Sequence, residues 1–149
     1  MRMSLHTDYA LRMLIFLAAR EDAVHTVTDV AAAYGLSRNH LAKIAQTLRD
    51  HGVVETARGR GGGLKLAKRP ADINIGDLVQ ATEEDFALAE CMQSHGGACC
   101  TIAGACGLRG MLSEALDAYL AVLRKYTLAD VLHNRPMLRA LLGGVSAAA

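Results

Sequence analysis

Apolar residues recur with a helical period almost from the start of the chain. Leu5, Tyr9, Leu11, Leu14, Ile15 and Leu17 fall near one face of a helix over residues 4–20. Thr28 is placed to cap a short helix, DVAAAYG, that stops at Gly35, and Ser37 to cap a second, RNHLAKIAQTLRDHG, that stops at Gly52. The first offers small packing residues in Val30, Ala31 and Ala32. In the second, Leu41, Ile44, Ala45 and Leu48 form the apolar stripe, which leaves Arg38, Asn39, His40, Lys43, Gln46 and Thr47 on other faces. Two short helices joined by a tight turn containing glycine fit a helix-turn-helix.

After Gly52 the period changes. Val53, Val54 and Thr56, then Leu64 and Leu66, suit two short strands around a glycine-rich tip, a β-hairpin wing. Gly61 to Gly63 permit positive φ and close approach of the backbone to another surface. Arginines on both sides of Gly59 favour a wing that enters a nucleic-acid groove over a merely loose loop. Asn74 caps a helix, IGDLVQAT. From Leu108 to Tyr126 a long helix is expected: Leu108, Leu112, Ala115, Tyr119, Leu123 and Tyr126 keep a three–four spacing, and Met111, Leu116 and Leu120 broaden the stripe. That coverage exceeds what one small domain needs. It reads as a dimerisation helix, with a helix buried in its own chain as the alternative. Thr127 caps a further short helix, LADVLH, Pro136 opens the last, MLRALL, and the GGVSAAA tail reads as frayed. The expected fold is mainly α: a winged helix-turn-helix over residues 1–81, a loop over 82–107, and a dimerisation helix with C-terminal helices over 108–149.

A chain of 149 residues can bury a core without disulfide staples. The N-terminal apolar stretch is broken by Asp8 and Arg12 and has no small-residue cleavage site, so it reads as a helix rather than a signal peptide. No apolar run reaches membrane-spanning length. A cytoplasmic setting, with reduced thiols, is therefore expected. The overall charge of +1 hides an asymmetry: residues 1–70 hold 11 Lys/Arg against 6 Asp/Glu, and residues 71–149 hold 5 against 9. Arg58, Arg60, Lys65, Lys68 and Arg69 crowd into twelve positions with no acid among them. A solvated basic hairpin would account for this charge; a phosphate-contacting surface is the sharper reading. At the start of the second helix Ser37, Arg38, Asn39, His40 and Lys43 are placed to meet bases and phosphates. Arg38 and Asn39 are able to make bidentate contacts to guanine and adenine edges, and Arg58 and Arg60 suit the minor groove or the phosphates.

All four cysteines, Cys91, Cys99, Cys100 and Cys106, lie in one Gly-rich stretch, ECMQSHGGACCTIAGACG. Thiolates gathered in a loop suit a soft metal or a redox centre better than a packed core. Zinc is disfavoured because no CxxC pair is present. A thiol-only switch stays open, since Cys99 and Cys100 are adjacent and Cys106 is near. The rival class, a small thiol oxidoreductase, calls for a reactive cysteine in a CxxC-like context, which is absent; no acid–base pair or nucleophile triad stands out, and RGRGGG lacks the spacing and the Lys-Ser/Thr ending of a phosphate loop.

Together, TDYALRMLIFLA, VAAAYGLSRNHLAKI, RGRGGGLKLA, INIGDLV and YTLADVL resemble the iron–sulfur winged-helix repressors over residues 1–142. Asp8, the ACGL run and YTLAD resemble the nitric-oxide-sensing branch of that family. The resemblance implies a homodimer that binds palindromic operator DNA and whose affinity falls when nitric oxide reaches a 4Fe–4S cluster. It implies cluster ligands at Cys91, Cys100 and Cys106 of one subunit and at Asp8 of the other, with Arg12 one turn on as the residue that orients the helix. Cys100 stands six residues before Cys106, the family spacing, with Cys99 as the alternative ligand. A 2Fe–2S regulator of the same fold remains the rival. It would use a histidine soon after the last cysteine, where this chain has Arg109; His95, inside the loop, is the other histidine that could serve.

Overall fold

The structure is a computed structural model that describes residues 2–57, 62–93, 100–102 and 104–143. Arg58, Arg60, Gly61, His95, Cys99 and the tail beyond Gly143 lie outside the described residues. Seven α-helices and one two-stranded antiparallel sheet are described, which is the winged helix-turn-helix expected from the sequence.

Helix α1 (Leu5–Ala19) is the centre of the molecule. Ser4 caps it by accepting the Thr7 N–H. The expected stripe is only part of what it buries. Leu14 and Leu17 are enclosed, but so are Ala10, Met13, Phe16, Ala18 and Ala19, while Leu5 is 48% exposed. The C-terminal half of α1 is covered on all sides, so a one-sided pattern understates it.

Helix α2 (Val27–Tyr34) begins earlier than expected. Its cap is Thr26, not Thr28, and the reason is the position of Asp29. The Thr26 hydroxyl accepts the Asp29 N–H at 3.2 Å while the Asp29 carboxylate accepts the Thr26 N–H at 2.6 Å. Thr28 has alanine at the matching position, which has no side-chain acceptor to offer. Gly35, at φ +64°, turns the chain out of α2. Helix α3 (Arg38–Asp50) follows with Ser37 at its cap position, although the Ser37 side chain makes no cap bond. Leu41, Ile44, Ala45 and Leu48 are all buried, as the stripe requires; in α2, Val30 and Ala31 are buried but Ala32 is exposed.

Strands β1 (Val54–Ala57) and β2 (Gly63–Leu66) pair with Val54 opposite Leu66 and Ala57 opposite Gly63. His25 adds a short third edge through backbone bonds with Leu64 in both directions. Gly63 makes the close approach expected of the glycine run, but to the protein itself: a Cβ there would lie 2.5 Å from the His25 carbonyl oxygen.

Helix α4 (Ile75–Thr82) is capped by Asn74, whose side chain accepts the Asp77 N–H. The two motifs INIGD and YTLAD meet in space. Ile75 N–H donates to the Tyr126 carbonyl at 3.0 Å, and Leu128 N–H to that of Ile73 at 2.8 Å. This pairing ends helix α5 (Leu108–Leu123) three residues before the expected Tyr126, because Tyr126 uses its backbone to meet α4. Helix α6 (Leu128–Val131) starts on the Thr127–Asp130 capping box, and α7 (Arg135–Gly143) ends the described chain. Leu120, Leu128 and Leu142 join the core built on α1, α3 and α4.

Candidate nucleic-acid interface and thiolate site

Helix α3 packs its apolar stripe on α1 and α2 and turns its opening residues outward. Ser37, Arg38, Asn39 and Lys43 are exposed. His40 is half-buried: its ring meets the Tyr9 ring edge-on, with centroids 5.3 Å apart. That contact, between α1 and the start of α3, is not readable from spacing. Farther along α3, Arg49 donates to Gln46 Oε1 at 2.5 Å and to Thr56 Oγ1 of β1 at 3.2 Å, which ties the helix to the wing. On the wing, Lys65 pairs with Glu55 at 2.8 Å, and beyond it Arg69 pairs with Asp72 at 2.8 Å. The basic run is thus partly neutralised within the chain.

Asp8 and Arg12 face each other on α1. Arg12 Nε donates to Asp8 Oδ1 at 3.1 Å and Nη2 lies 2.9 Å from Oδ2. The hydrogen bond that Arg12 donates to Asp8 heads the influences that raise the Arg12 pKa. The same guanidinium lies over two rings, Tyr9 at 5.8 Å and Tyr34 at 5.9 Å from the centroids. The Tyr34 hydroxyl donates to the Arg12 carbonyl at 3.1 Å. Burial pushes the Tyr34 phenol up to about 12 despite the pull of Arg12 the other way. Arg12 therefore touches the last residue of α2 directly and the first turn of α3 through Tyr9. Tyr34 is a site residue that the sequence reading missed; its only signal was an aromatic at the end of α2.

The described cysteines frame the loop before α5. Cys91 lies in the 3₁₀ turn Glu90–Met92, Cys106 lies just before the Gly107 cap of α5, and Cys91, Cys100 and Cys106 are all half-buried free thiols. An open hollow lined by Met92, Cys106, Arg109, Gly110 and Ser113 brings the neighbour of Cys91 alongside Cys106. Among the described residues, no three His, Cys, Asp or Glu side chains gather closely enough to hold a metal. The structure of one chain thus does not assemble the expected ligand set, and Asp8 is engaged with Arg12 of its own helix. In donor chemistry the set still fits an iron–sulfur cluster. Three unbridged thiols are available, and the fourth residue of the expected set, Asp8, is a carboxylate left 36% exposed.

Residues 3–134 match the model of the Rrf2 family, described as iron-dependent transcriptional regulators. The HTH-type transcriptional regulator NsrR of Geobacillus kaustophilus is 49% identical over 143 residues, spanning 95% of this chain and 97% of that protein. The regulator of the same name from Bacillus subtilis is 48% identical over the same shares of both chains. Among solved structures, CymR, the global cysteine regulator of B. subtilis, superposes with a TM-score of 0.69 at 26% identity, over 88% of this chain and 95% of that one. The chain is a transcriptional regulator and belongs to the Rrf2 family.

Proposed function

We propose that the chain is a homodimeric repressor that binds a palindromic double-stranded operator in the cytoplasm and loses affinity for it when nitric oxide reaches a 4Fe–4S cluster. Cys91, Cys100 and Cys106 of one subunit and Asp8 of the other would hold that cluster, with Cys99 as the alternative to Cys100. Residues 1–81 bind DNA, 82–107 carry the cluster and 108–149 join the subunits. A two-fold dimer presents two recognition helices, which is why the operator is expected to be palindromic.

The observation that carries this reading is the position of Asp8. It sits one turn from an arginine that touches both helices of the helix-turn-helix, directly at Tyr34 and by way of Tyr9 at His40. Asp8 would hold the cluster with a carboxylate oxygen where Cys91, Cys100 and Cys106 would hold it with thiolates, and a carboxylate is the weaker ligand, so the bound cluster would offer nitric oxide a point of entry there. The rest of the response belongs to this chain. An Asp8 engaged elsewhere leaves Arg12 to the two tyrosine rings; an Asp8 returned to Arg12 restores the pair seen here. The exchange alters the contacts of α1 with α2 and α3.

The dimer is supported by α5. Leu120 is buried against its own chain, whereas Leu108, Met111 and Val122 are 51%, 68% and 49% exposed and leave an apolar face without cover. On DNA, Ser37, Arg38, Asn39, His40 and Lys43 take the major groove, and Arg58 and Arg60 of the wing the minor groove or phosphates.

The test compares operator binding before and after nitric oxide, anaerobically, in wild type and Asp8→Ala. An allosteric coupling of the usual size lowers wild-type affinity by roughly 5- to 150-fold. In Asp8→Ala the change is expected to stay within about twofold on the same scale. A variant that releases DNA as the wild type does contradicts the reading.

A further inference from the structure

Glu83 is the residue that closes α4, at the point where the chain leaves the DNA-contacting helices for the cysteine segment. Its carboxylate reaches back across the molecule to the start of α1. Oε1 accepts the Ser4 N–H at 2.7 Å. Oε2 accepts the Ser4 hydroxyl and, at 2.5 Å, the Thr7 hydroxyl. Ser4 is itself the α1 cap: its hydroxyl oxygen accepts the Thr7 N–H at 3.2 Å, and its carbonyl accepts the Asp8 N–H at 3.0 Å. Thr7 is fully buried. Without Glu83 its hydroxyl keeps only the Ser4 hydroxyl, at 3.1 Å.

Burial raises the Glu83 carboxyl, but the hydrogen bonds from Ser4 and Thr7 outweigh burial and hold it below its usual range. The group is thus an anion at neutral pH. An anion at a helix N-terminus satisfies donors that the helix itself leaves open and is favoured by the helix dipole. Apart from the cap residue Ser4, no other described side chain from outside α1 hydrogen-bonds to its first turn.

We infer that Glu83 is a positioning residue: its carboxylate fixes the first turn of α1, and with it Asp8, relative to the cysteine segment that begins at Cys91. The inference rests on the proposed ligand role of Asp8. Glu83 lies eight residues before Cys91, and its partner Thr7 is the immediate neighbour of Asp8. One side chain thus ties the helix that offers Asp8 to one subunit's cluster to the segment that offers Cys91 to the other.

Two readouts on the full chain test this. In cluster-free protein, amide hydrogen exchange over residues 2–14 is expected to speed up by about tenfold in Glu83→Ala, since charge-assisted bonds to the first turn are lost. Glu83→Gln keeps the volume and an acceptor for the Ser4 N–H. It is expected to be intermediate, and it serves as the variant where Glu83→Ala does not fold. In anaerobically loaded protein, chelator-driven loss of the cluster absorbance is expected to be several-fold faster in Glu83→Ala, whereas Glu83→Ala added to Asp8→Ala brings no further acceleration. A merely structural role predicts that the two changes add, and additivity overturns the inference. Unchanged exchange overturns the clamp itself. A wild-type protein that takes up no cluster overturns the ligand reading and the positioning role with it, and that failure is distinct from a failure of the exchange result.

Discussion

Asp8 and Arg12 form a two-point ion pair one turn apart on α1, and both partners stay substantially open to solvent, at 36% and 44% exposure. A pair this exposed adds little to stability, on the order of a few tenths of a kcal/mol. Its value lies elsewhere. A carboxylate held so weakly can be given up to another partner at small cost, while its arginine remains packed on Tyr9 and Tyr34.

Tyr34 offers a direct test of that packing. Its phenol is pushed up to about 12 from an ordinary value of 10.0, burial being the main cause. The folded state favours the neutral form, so this contribution is fully present below the unfolded value and is lost as pH rises from 10.0 towards about 12. Tyrosinate absorbance is expected to show a late ionisation step that Tyr34→Phe removes. The variant also loses the bond to the Arg12 carbonyl, at a cost of about 0.5–1.5 kcal/mol in denaturant unfolding. Four tyrosines titrating together would contradict the burial.

Gly76 is a second test. A Cβ there would lie 2.4 Å from Arg124 Cγ and 2.7 Å from the Arg124 backbone nitrogen. The flexible side chain can move aside, but the backbone cannot do so without disturbing the pairing of INIGD with YTLAD. Gly76→Ala is expected to destabilise the fold by about 1–3 kcal/mol, read by thermal unfolding. An unchanged melting temperature would mean that α4 and the end of α5 do not pack this closely.

On the proposed function, α3 separates base reading from charge. Arg38→Ala is expected to cost about 1–3 kcal/mol on the correct operator and to relax preference at one base position. Lys43→Ala is expected to weaken all sequences alike and to reduce the slope of log affinity against log salt by about 1. Equal loss on every sequence for Arg38→Ala would move that residue to the phosphates.

Met111, exposed at 68% on α5, tests the proposed subunit contact. Met111→Glu buries a charge in a paired helix and is expected to shift sedimentation from dimer to monomer at micromolar protein. A variant that stays dimeric would move the interface off this face.

Much of this arrangement is legible in the chain, and its gaps have physical causes. Asn74 and Thr127 were readable as caps because each has an acid three residues on, in Asp77 and Asp130. Thr26 was displaced in the reading by Thr28, although the same rule, applied to Asp29, selects Thr26. The α3 stripe was complete because that helix buries one face; Met13 and Phe16 were missed because the end of α1 is enclosed all round. Tyr34 and Glu83 act across 22 and 76 residues of chain, on Arg12 and Thr7, and no periodicity encodes such contacts. The thiolate set was legible as donors, but not as a site.

The most direct test of the central claim is native mass spectrometry of anaerobically prepared protein, before and after stepwise nitric oxide. The account predicts a dimer that carries 4Fe–4S and gains nitric oxide on iron as the gas is added. A dimer that carries 2Fe–2S, zinc or no metal, and forms no nitrosyl product, would contradict it.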